Sequence, residues 1–283
     1  MSMKDDIFKE ISDSYKISCA FERWKDYRTR VTDYIIKYTQ QGKSIAILGA
    51  GESNDIDLER LYQHMGNLTL VDKNSSAMKA ALQKYNLSGK ANIKLVTADF
   101  FGITDAEYKE IIGIYCQDVK RMKNMFSPRA TAPKIIEKMD DLYKRINDKK
   151  IDLGVESYDY IVAIGVHSQL NGFIEHSWDI VLRATGKTND QISKKAMEEN
   201  DLFIPRFNDA IMEKTNERAF IGLELLENGR NCMVQGAEQA KSDIYSKVPE
   251  EKLLEYEDVW PLKEGVSYNM MIYNIKKNDY SIS

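Results

Sequence analysis

Short apolar runs alternate with amphipathic stretches over residues 44–164. Four runs are strand-like, namely Ser44–Leu48, Leu68–Val71, Ile93–Thr97 and Tyr158–Ile164. Their lack of polar alternation is typical of strands that are buried on both faces. Helical periodicity separates the first three runs, over residues 55–65 and 75–85, with Asn74 as a candidate N-cap of the second helix. This order predicts a doubly wound, mostly parallel α/β sheet with right-handed crossovers.

Two further segments are helical in pattern. Residues 5–41 carry apolar and aromatic side chains three or four positions apart. Residues from about 102 to 157 are charged, and they are too many for a simple crossover. We expect this segment to be a helical insertion that forms part of a cap, with a loop at Ser127–Pro133. We expect residues 1–42 to form an N-terminal helical lid and residues 43–283 to form the main domain.

The pattern is less regular beyond the fourth strand. It predicts helices over residues 172–184, 206–228 and 249–258. It predicts strands over residues 230–234 and 267–275. These strands extend the sheet beyond the four runs already described.

Composition and charge exclude several classes of protein. The formal net charge is −4, which argues against non-specific binding to phosphate backbones. Cys19, Cys116 and Cys232 are far apart and belong to no zinc-type cluster, so we expect no metal and reduced thiols. The N-terminus lacks an apolar signal core, and no apolar run approaches the ~20 residues that span a bilayer. We therefore expect a cytoplasmic protein without a membrane segment.

Three chemical features follow the ends of three successive strands. Gly49-Ala50-Gly51 allows a tight turn and the close approach of a ligand, and a helix follows it. Asp72, about 20 residues further on, is placed to accept hydrogen bonds from ribose hydroxyls. Asp99 and Phe100 combine a carboxylate with a ring, which suits an adenine. In this order and spacing, the features predict a site for an adenosine-containing cofactor.

The residues after the two glycines bear on the type of cofactor. A dinucleotide site prefers a third glycine, where this chain has Asn54, followed by the acid Asp55. Negative charge beside a pyrophosphate is unfavourable, whereas the sulfonium and amino groups of S-adenosylmethionine are positive. The pattern favours S-adenosylmethionine. An NAD-dependent oxidoreductase remains an alternative.

Four motifs resemble those of the class I S-adenosylmethionine-dependent methyltransferase family. They are LGAGESNDIDL (residues 48–58), LVDKN (70–74), TADF (97–100) and YDYIVAIGVHSQL (158–170). The resemblance implies a Rossmann-like sheet of the seven-stranded type. It also implies methyl transfer by in-line displacement at the sulfonium, with S-adenosylhomocysteine as the product. The sequence departs from the family's usual GxGxG pattern at Ser53, which replaces the third glycine.

The resemblance also implies a set of cofactor-binding residues that follow the strand ends. Gly49, Gly51 and Glu52 would surround the methionyl part, and Ala50 and Asp55 of the same turn would also bind the cofactor. Asp72 would bind the ribose, with Lys73 beside the adenine, and Asp99 and Phe100 would bind the adenine. Ile164 and Gly165 would lie near the transferable methyl group.

Catalytic and substrate-binding residues are less defined. His167 follows the fourth strand, where the family places groups that face the substrate, and its titration range suits a general base. A hydrogen-bonded loop histidine is the alternative. Tyr27, Arg28 and Gln169 are further candidates for substrate contact. The aromatic residues of the N-terminal segment can stack on a substrate or on the sulfonium, or they can simply pack on the sheet.

The acceptor is open. The negative net charge and a covered site favour a small molecule. Methylation of RNA or protein requires a basic face. Lys120, Arg121, Lys123 and Arg129 lie close together in the insertion, but among many acids. A protein that binds the cofactor without turnover is a further alternative, and both a monomer and a homodimer are compatible with the sequence.

Overall fold

The computed structural model describes residues 3–14, 17–228, 234 and 236–282, and within them seven strands form one sheet. The strands are β1 (Ser44–Leu48), β2 (Asn67–Asp72), β3 (Ile93–Thr97), β4 (Tyr158–Ile164), β5 (Thr215–Glu227), β6 (Leu254–Lys263) and β7 (Val266–Lys276). The α-helices of the described residues are α1 (Met3–Ser14), α2 (Ala20–Arg23), α3 (Lys25–Lys37), α4 (Leu58–His64), α5 (Ser75–Lys84), α6 (Asp105–Met122), α7 (Pro128–Asn147), α8 (Gly172–Thr185), α9 (Gln191–Glu213) and α10 (Ala237–Lys247).

The sheet has the order β3-β2-β1-β4-β5-β7-β6. Strands β1 to β5 are parallel, and β7 lies antiparallel between β5 and β6. In this register Leu48 pairs with both Val71 and Ala163, so the carboxyl ends of β1, β2 and β4 meet at one edge. The strand order reverses at β1, where open α/β sheets place their ligands. The predicted doubly wound, mostly parallel fold is confirmed.

The contacts within the chain divide it into two compact units. The larger unit comprises residues 17–100, 151–168 and 204–283, and it contains the whole sheet. The smaller unit comprises residues 1–16, 101–150 and 169–203. The lid of residues 1–42 and the single domain of residues 43–283 stay predictions. Within that lid, α1 belongs to the smaller unit, whereas α2 and α3 belong to the larger one.

The smaller unit is helical, as predicted for the insertion. Tyr115 and Phe126 pack on Trp178 of α8, with ring centroids 5.7 and 6.2 Å away, and Trp178 is fully buried. The predicted loop at residues 127–133 is wrong, because α7 begins at Pro128. A proline is tolerated in the first turn of a helix, where its missing N–H has no intrahelical partner.

Helices of the larger unit form where local signals and burial agree. The side chain of Asn74 accepts a hydrogen bond from the Ala77 N–H at 3.1 Å, which confirms it as the N-cap of α5. Helix α3 packs on the sheet through Tyr34, whose ring stacks on Tyr256 at 4.5 Å and meets Phe220 edge-on. These aromatic contacts fix α3 beside β5 and β6.

In the C-terminal part, the structure differs from two predicted helices, and one predicted strand falls mostly outside the described residues. Helix over residues 206–228 is wrong beyond α9, because residues 215–227 form β5. Its central run, from Ala219 to Leu223, is buried between two neighbouring strands, and periodicity alone does not separate such a run from a buried helix. Helix over residues 249–258 is wrong, since β6 begins at Leu254. Of the predicted strand 230–234, only residue 234 lies within the described residues.

Strand prediction over residues 267–275 is confirmed by β7. In the part of the chain that the structure describes, no helix is long and apolar enough to span a membrane.

A buried polar network joins α9, α10 and the C-terminal segment. Lys247 contacts Asp209 at 2.7 Å and Asp243 at 2.9 Å, and its side chain is only 8% exposed. Asn208 donates a hydrogen bond to Asp243 at 2.8 Å, and the Tyr280 hydroxyl donates one to Asp209 at 2.9 Å. One buried ammonium group therefore compensates two carboxylates.

We predict that Lys247→Met destabilises the protein by about 3 kcal/mol, because removing one partner of a buried ion pair leaves uncompensated charge. Lys252→Met is the matched control. Lys252 also contacts an aspartate, Asp279, at 2.9 Å, but its side chain is 49% exposed. The control should cost much less, because solvent screens an exposed ion pair. Denaturant unfolding measures both. Equal losses in the two variants would contradict the assignment of the network to the core.

Candidate functional site

The turn after β1 has an unusual backbone. Gly49 has a φ of 66°, Gly51 of 48° and Ser53 of 48°. Ser53 replaces the family's third glycine, yet it adopts the left-handed conformation that a glycine would favour. It is held there because its N–H and its hydroxyl both donate to the Ala50 carbonyl, at 2.7 and 3.1 Å. The departure from the motif thus leaves a positive φ at the third position.

Gly49 is required for a second reason. A Cβ added there would lie 2.7 Å from Cγ2 of Val166, which follows β4. Real Cβ atoms do not approach other atoms that closely, so the turn after β1 and the loop after β4 touch only because residue 49 has no side chain. At Gly51 the same construction meets nothing closer than 3.9 Å.

Three side chains from elsewhere in the chain donate hydrogen bonds to the carbonyl groups of the turn. The Tyr85 hydroxyl lies 3.0 Å from the Ser53 carbonyl and 2.8 Å from that of Ile56. Arg28 donates to the Asn54 carbonyl at 2.9 Å, and Lys84 donates to the Glu52 carbonyl at 2.7 Å. The two carbonyls beside Tyr85 are buried, so its hydroxyl pairs an acceptor that would otherwise lack a partner, whereas the bond to the Glu52 carbonyl is exposed.

Arg28 is fixed further by its neighbours. It donates to the Phe21 carbonyl at 2.7 Å, and its guanidinium lies 4.0 Å from the centroid of the Phe21 ring. Arg28 is buried, and its hydrogen bond to the Asn54 carbonyl supports the turn. Its predicted contact with substrate stays a prediction.

Asp72 links the turn to the end of β2. Its carboxylate accepts a hydrogen bond from the Gly51 N–H at 2.9 Å and one from the Asn74 N–H at 2.7 Å. A carboxylate has about four acceptor positions, so two of them remain for a ligand. The side chain is half-buried at the edge where β1 and β2 end. This arrangement is compatible with the predicted bonds to ribose hydroxyls.

The other predicted cofactor residues lie around the same edge. Asp99 follows β3 and is exposed, and Phe100 is half-buried with its ring 5.6 Å from that of Phe207. Lys73 and Glu52 are exposed.

Ile164 and Gly165 end β4. Ile164 is buried, and Gly165 donates its N–H to the Gly222 carbonyl at 2.9 Å with a φ of 67°. Ala50, beside the glycines of the turn, is also buried.

His167 lies in a closed environment. It is 2% exposed, its Nε2 is 2.9 Å from the amide oxygen of Asn208, and its ring meets Phe207 edge-on at 5.1 Å. Burial lowers the pKa of His167 to about 4. His167 is thus a buried, hydrogen-bonded histidine, as the alternative interpretation of the sequence has it. The role of His167 as a general base stays a prediction.

Asp55, Glu224 and Tyr27 form an acidic cluster that involves the turn, β5 and α3. Burial raises the pKa of Glu224 to about 7 and that of Asp55 to about 6, and the charge of Asp55 acts on Glu224 in the same direction. Burial also raises the pKa of Tyr27, and Asp55 and Glu224 raise it further. The three groups therefore lie within electrostatic range of one another.

Sequence reasoning missed Glu224, since it assigned residues 206–228 to a helix. The signal that could have found it is an acid inside an apolar run, Phe-Ile-Gly-Leu-Glu-Leu-Leu over residues 220–226. An acid in a buried strand is costly and is often functional.

Two of the predicted substrate residues fall in different places. Tyr27 is buried in the larger unit. Gln169 is exposed and belongs to the smaller unit. Among the described residues, no group of histidines, cysteines and acids could hold a metal ion.

We predict that Gly49→Ala destabilises the protein more than Gly51→Ala, by at least about 1 kcal/mol. Both variants place a Cβ at positive φ, which costs ~1–2 kcal/mol, but only the first also meets Val166. Val166→Ala should recover the difference, so a double-mutant cycle of residues 49 and 166 should show coupling. Chemical denaturation measures each variant. Equal losses for the two glycine variants would contradict the close contact.

We predict that the stability gained by Glu224→Gln grows with pH. Burial raises the pKa of Glu224 from 4.5 to about 7 in the folded state. Ionisation of this carboxyl therefore destabilises the fold as pH rises through that range. The variant lacks this effect. Its advantage over the wild type should increase by about 3 kcal/mol between about pH 4 and about pH 8. Unfolding curves across this range measure it. A constant difference would show that Glu224 is not desolvated.

No protein-family model matches the sequence, and no curated protein matches it significantly. Solved structures do match. They include an N-methyltransferase, NodS, from Bradyrhizobium japonicum in complex with S-adenosyl-L-homocysteine, with 12% identity, a TM-score of 0.45 and coverage of 97% of this chain and 98% of that one.

Two further structures match over most of their length. Magnesium protoporphyrin IX methyltransferase from Synechocystis with bound SAM has 9% identity, a TM-score of 0.43 and coverage of 96% and 91%. A putative RNA methyltransferase from Pyrococcus horikoshii has 9% identity, a TM-score of 0.41 and coverage of 88% and 82%. All three are described as methyltransferases, the third as a putative one. At these identities and TM-scores the likeness carries no argument about cofactor or acceptor, which must rest on the residues of this chain.

Proposed function

We propose that this protein is an S-adenosylmethionine-dependent methyltransferase that acts on a small molecule. One observation carries the proposal. Asp72 binds the N–H of Gly51, and so joins the glycine turn of β1 to the end of β2 at the point where the strand order reverses. A carboxylate fixed in this way presents its remaining acceptor positions to a ribose, and the glycines leave room for the rest of the nucleoside.

The residues around the turn favour S-adenosylmethionine over a dinucleotide. Asp55 lies on the turn itself, and Glu224 lies within electrostatic range of it. Two acids beside a pyrophosphate would repel it, whereas they attract the sulfonium and amino groups of S-adenosylmethionine. Two cations lie next to the turn, Arg28 and Lys84. Both donate hydrogen bonds to its carbonyls, so these donors are not directed at a phosphate.

The chain's own residues would supply binding and alignment. Asp72 would orient the ribose, Asp99 and Phe100 the adenine, and the turn at residues 49–55 the methionyl part. When bound, S-adenosylmethionine supplies an activated methyl group. Methyl transfer needs an in-line approach and exclusion of water, so placement of the acceptor accounts for most of the catalytic demand.

The charge of the protein favours a small molecule as the methyl acceptor. The net charge of −4 and the acids at the sheet edge disfavour a nucleic acid. A methyltransferase for RNA or protein is the second version, and it would need a basic face that the cluster at residues 120–129 does not by itself provide.

We predict that Asp72→Asn weakens binding of S-adenosylhomocysteine by at least about tenfold, because it removes one charge-assisted acceptor. Asp57→Asn is the control. Asp57 accepts a hydrogen bond from the Arg60 N–H at the start of α4, and asparagine caps a helix equally well. Isothermal titration calorimetry measures both affinities. Unchanged binding in Asp72→Asn, or an equal loss in the control, would contradict the placement of the ribose.

A further inference from the structure

Glu224 lies two residues beyond the level at which β4 ends. Ile164, the last residue of β4, pairs with Gly222 of β5, so Glu224 lies beyond the end of β4, on the same face as Gly222, where β5 remains paired with β7. It faces the loop after β4. A Cβ on Gly165 would lie 3.1 Å from its Oε1, and the Ser168 hydroxyl donates to the same oxygen at 3.1 Å. Glu224 is therefore the carboxyl group next to the position proposed for the transferable methyl.

Part of this buried group has no partner in the described residues. The side chain is 4% exposed, and its Oε2 is buried without a hydrogen-bond partner among them. The hydroxyl of Tyr27 is also buried and unpartnered within the same description. Two unpaired polar atoms in one buried region are costly unless a ligand satisfies them.

The charges around Glu224 determine which kind of ligand would satisfy these unpaired atoms. Asp55 of the turn and the phenol of Tyr268 on β7 both lie within electrostatic range of Glu224. Ser168, on the loop after β4, is neutral. Tyr27 is in turn influenced by Asp258 and Tyr256 of β6. The cations Arg28 and Lys84 act on Asp55 but hold the turn carbonyls. A cationic ligand would be stabilised here and an anion repelled.

Aromatic rings extend the cluster. The ring of Tyr27 stacks on Trp260 at 6.2 Å and 25°, and Trp260 packs on Trp24 at 4.8 Å. Ring faces attract ammonium and sulfonium groups, so they complement the carboxylates.

We propose that Glu224 and Tyr27 form the acceptor subsite and that the acceptor is an aliphatic amine, whose ammonium group is bound by Glu224 and loses a proton to it. This inference rests on the proposed methyltransferase function and names its substrate class. Glu224 would be a catalytic residue, because it would contact the reacting nitrogen.

The step balances. The ionised Glu224 carboxylate takes one proton from the ammonium, which leaves a neutral amine and a protonated carboxyl. The nitrogen lone pair then forms a bond to the methyl carbon while the carbon–sulfur bond breaks, and its electron pair stays on sulfur. The products are a methylated ammonium ion and S-adenosylhomocysteine. Glu224 returns its proton to solvent. The raised pKa of Glu224, about 7, suits this exchange near neutral pH.

Sinefungin tests the subsite without knowledge of the acceptor, since it carries an ammonium-bearing carbon where S-adenosylmethionine carries the methylated sulfur. We expect the wild type to prefer sinefungin over S-adenosylhomocysteine, and Glu224→Gln to lose about tenfold of that preference, the scale of a charge-assisted hydrogen bond. Tyr27→Phe should lose a smaller part. Calorimetric Kd values for both compounds give the ratio in each variant.

Glu227→Gln is the matched control, because it removes the same charge from the same strand outside the cluster; its ratio should equal that of the wild type. An unchanged ratio in Glu224→Gln, with both compounds bound, would overturn the amine subsite and leave the cofactor assignment intact. Failure of the wild type to bind either compound would overturn the methyltransferase function itself.

A second probe distinguishes acceptor classes. With S-adenosylhomocysteine bound, n-butylammonium should raise the unfolding temperature of the wild type but not of Glu224→Gln. An equal rise with n-butanol or n-butanoate would contradict selection of an amine.

Discussion

The turn after β1 depends on where its carbonyl groups find hydrogen-bond donors. The chain reverses through positive φ at residues 49, 51 and 53, and the carbonyls of Ser53 and Ile56 are buried. Tyr85, Arg28 and Lys84 supply the donors from two helices, and each comes from outside the turn. Without Tyr85 the buried carbonyls would lack a donor, and an unpaired buried acceptor costs ~1–3 kcal/mol.

The same turn contacts the segments that follow two neighbouring strands. Asp72, at the end of β2, accepts a hydrogen bond from the Gly51 N–H, and the close approach of Gly49 to Val166 brings the loop after β4 to the same place. Arg28 and Lys84 bind carbonyls of the turn, so the ionisable groups nearest the turn that remain for a ligand, Asp55, Asp72 and Glu224, are acids. That balance of charge, more than the glycine motif, is what distinguishes a site for a cationic cofactor from one for a pyrophosphate.

Sequence reasoning predicted the elements whose signals are local. The strands β1 to β4 are short apolar runs, Asn74 caps α5, and Asp72 and Asp99 follow strand ends. It did not predict β5, because a strand buried between two others resembles a buried helix, and that error concealed Glu224. The roles of Tyr85 and Lys84 were also hidden, since they act on the turn from about 30 positions away. Such contacts exist only once the tertiary structure has formed.

The central claim is that the edge of the sheet at the carboxyl ends of β1 and β2 binds S-adenosylmethionine and not a dinucleotide. Calorimetric titration of the wild-type protein with S-adenosylmethionine and, separately, with NADH tests it most directly. We predict a saturable, one-to-one isotherm with S-adenosylmethionine and no heat of binding with NADH. Binding of NADH without binding of S-adenosylmethionine would contradict it.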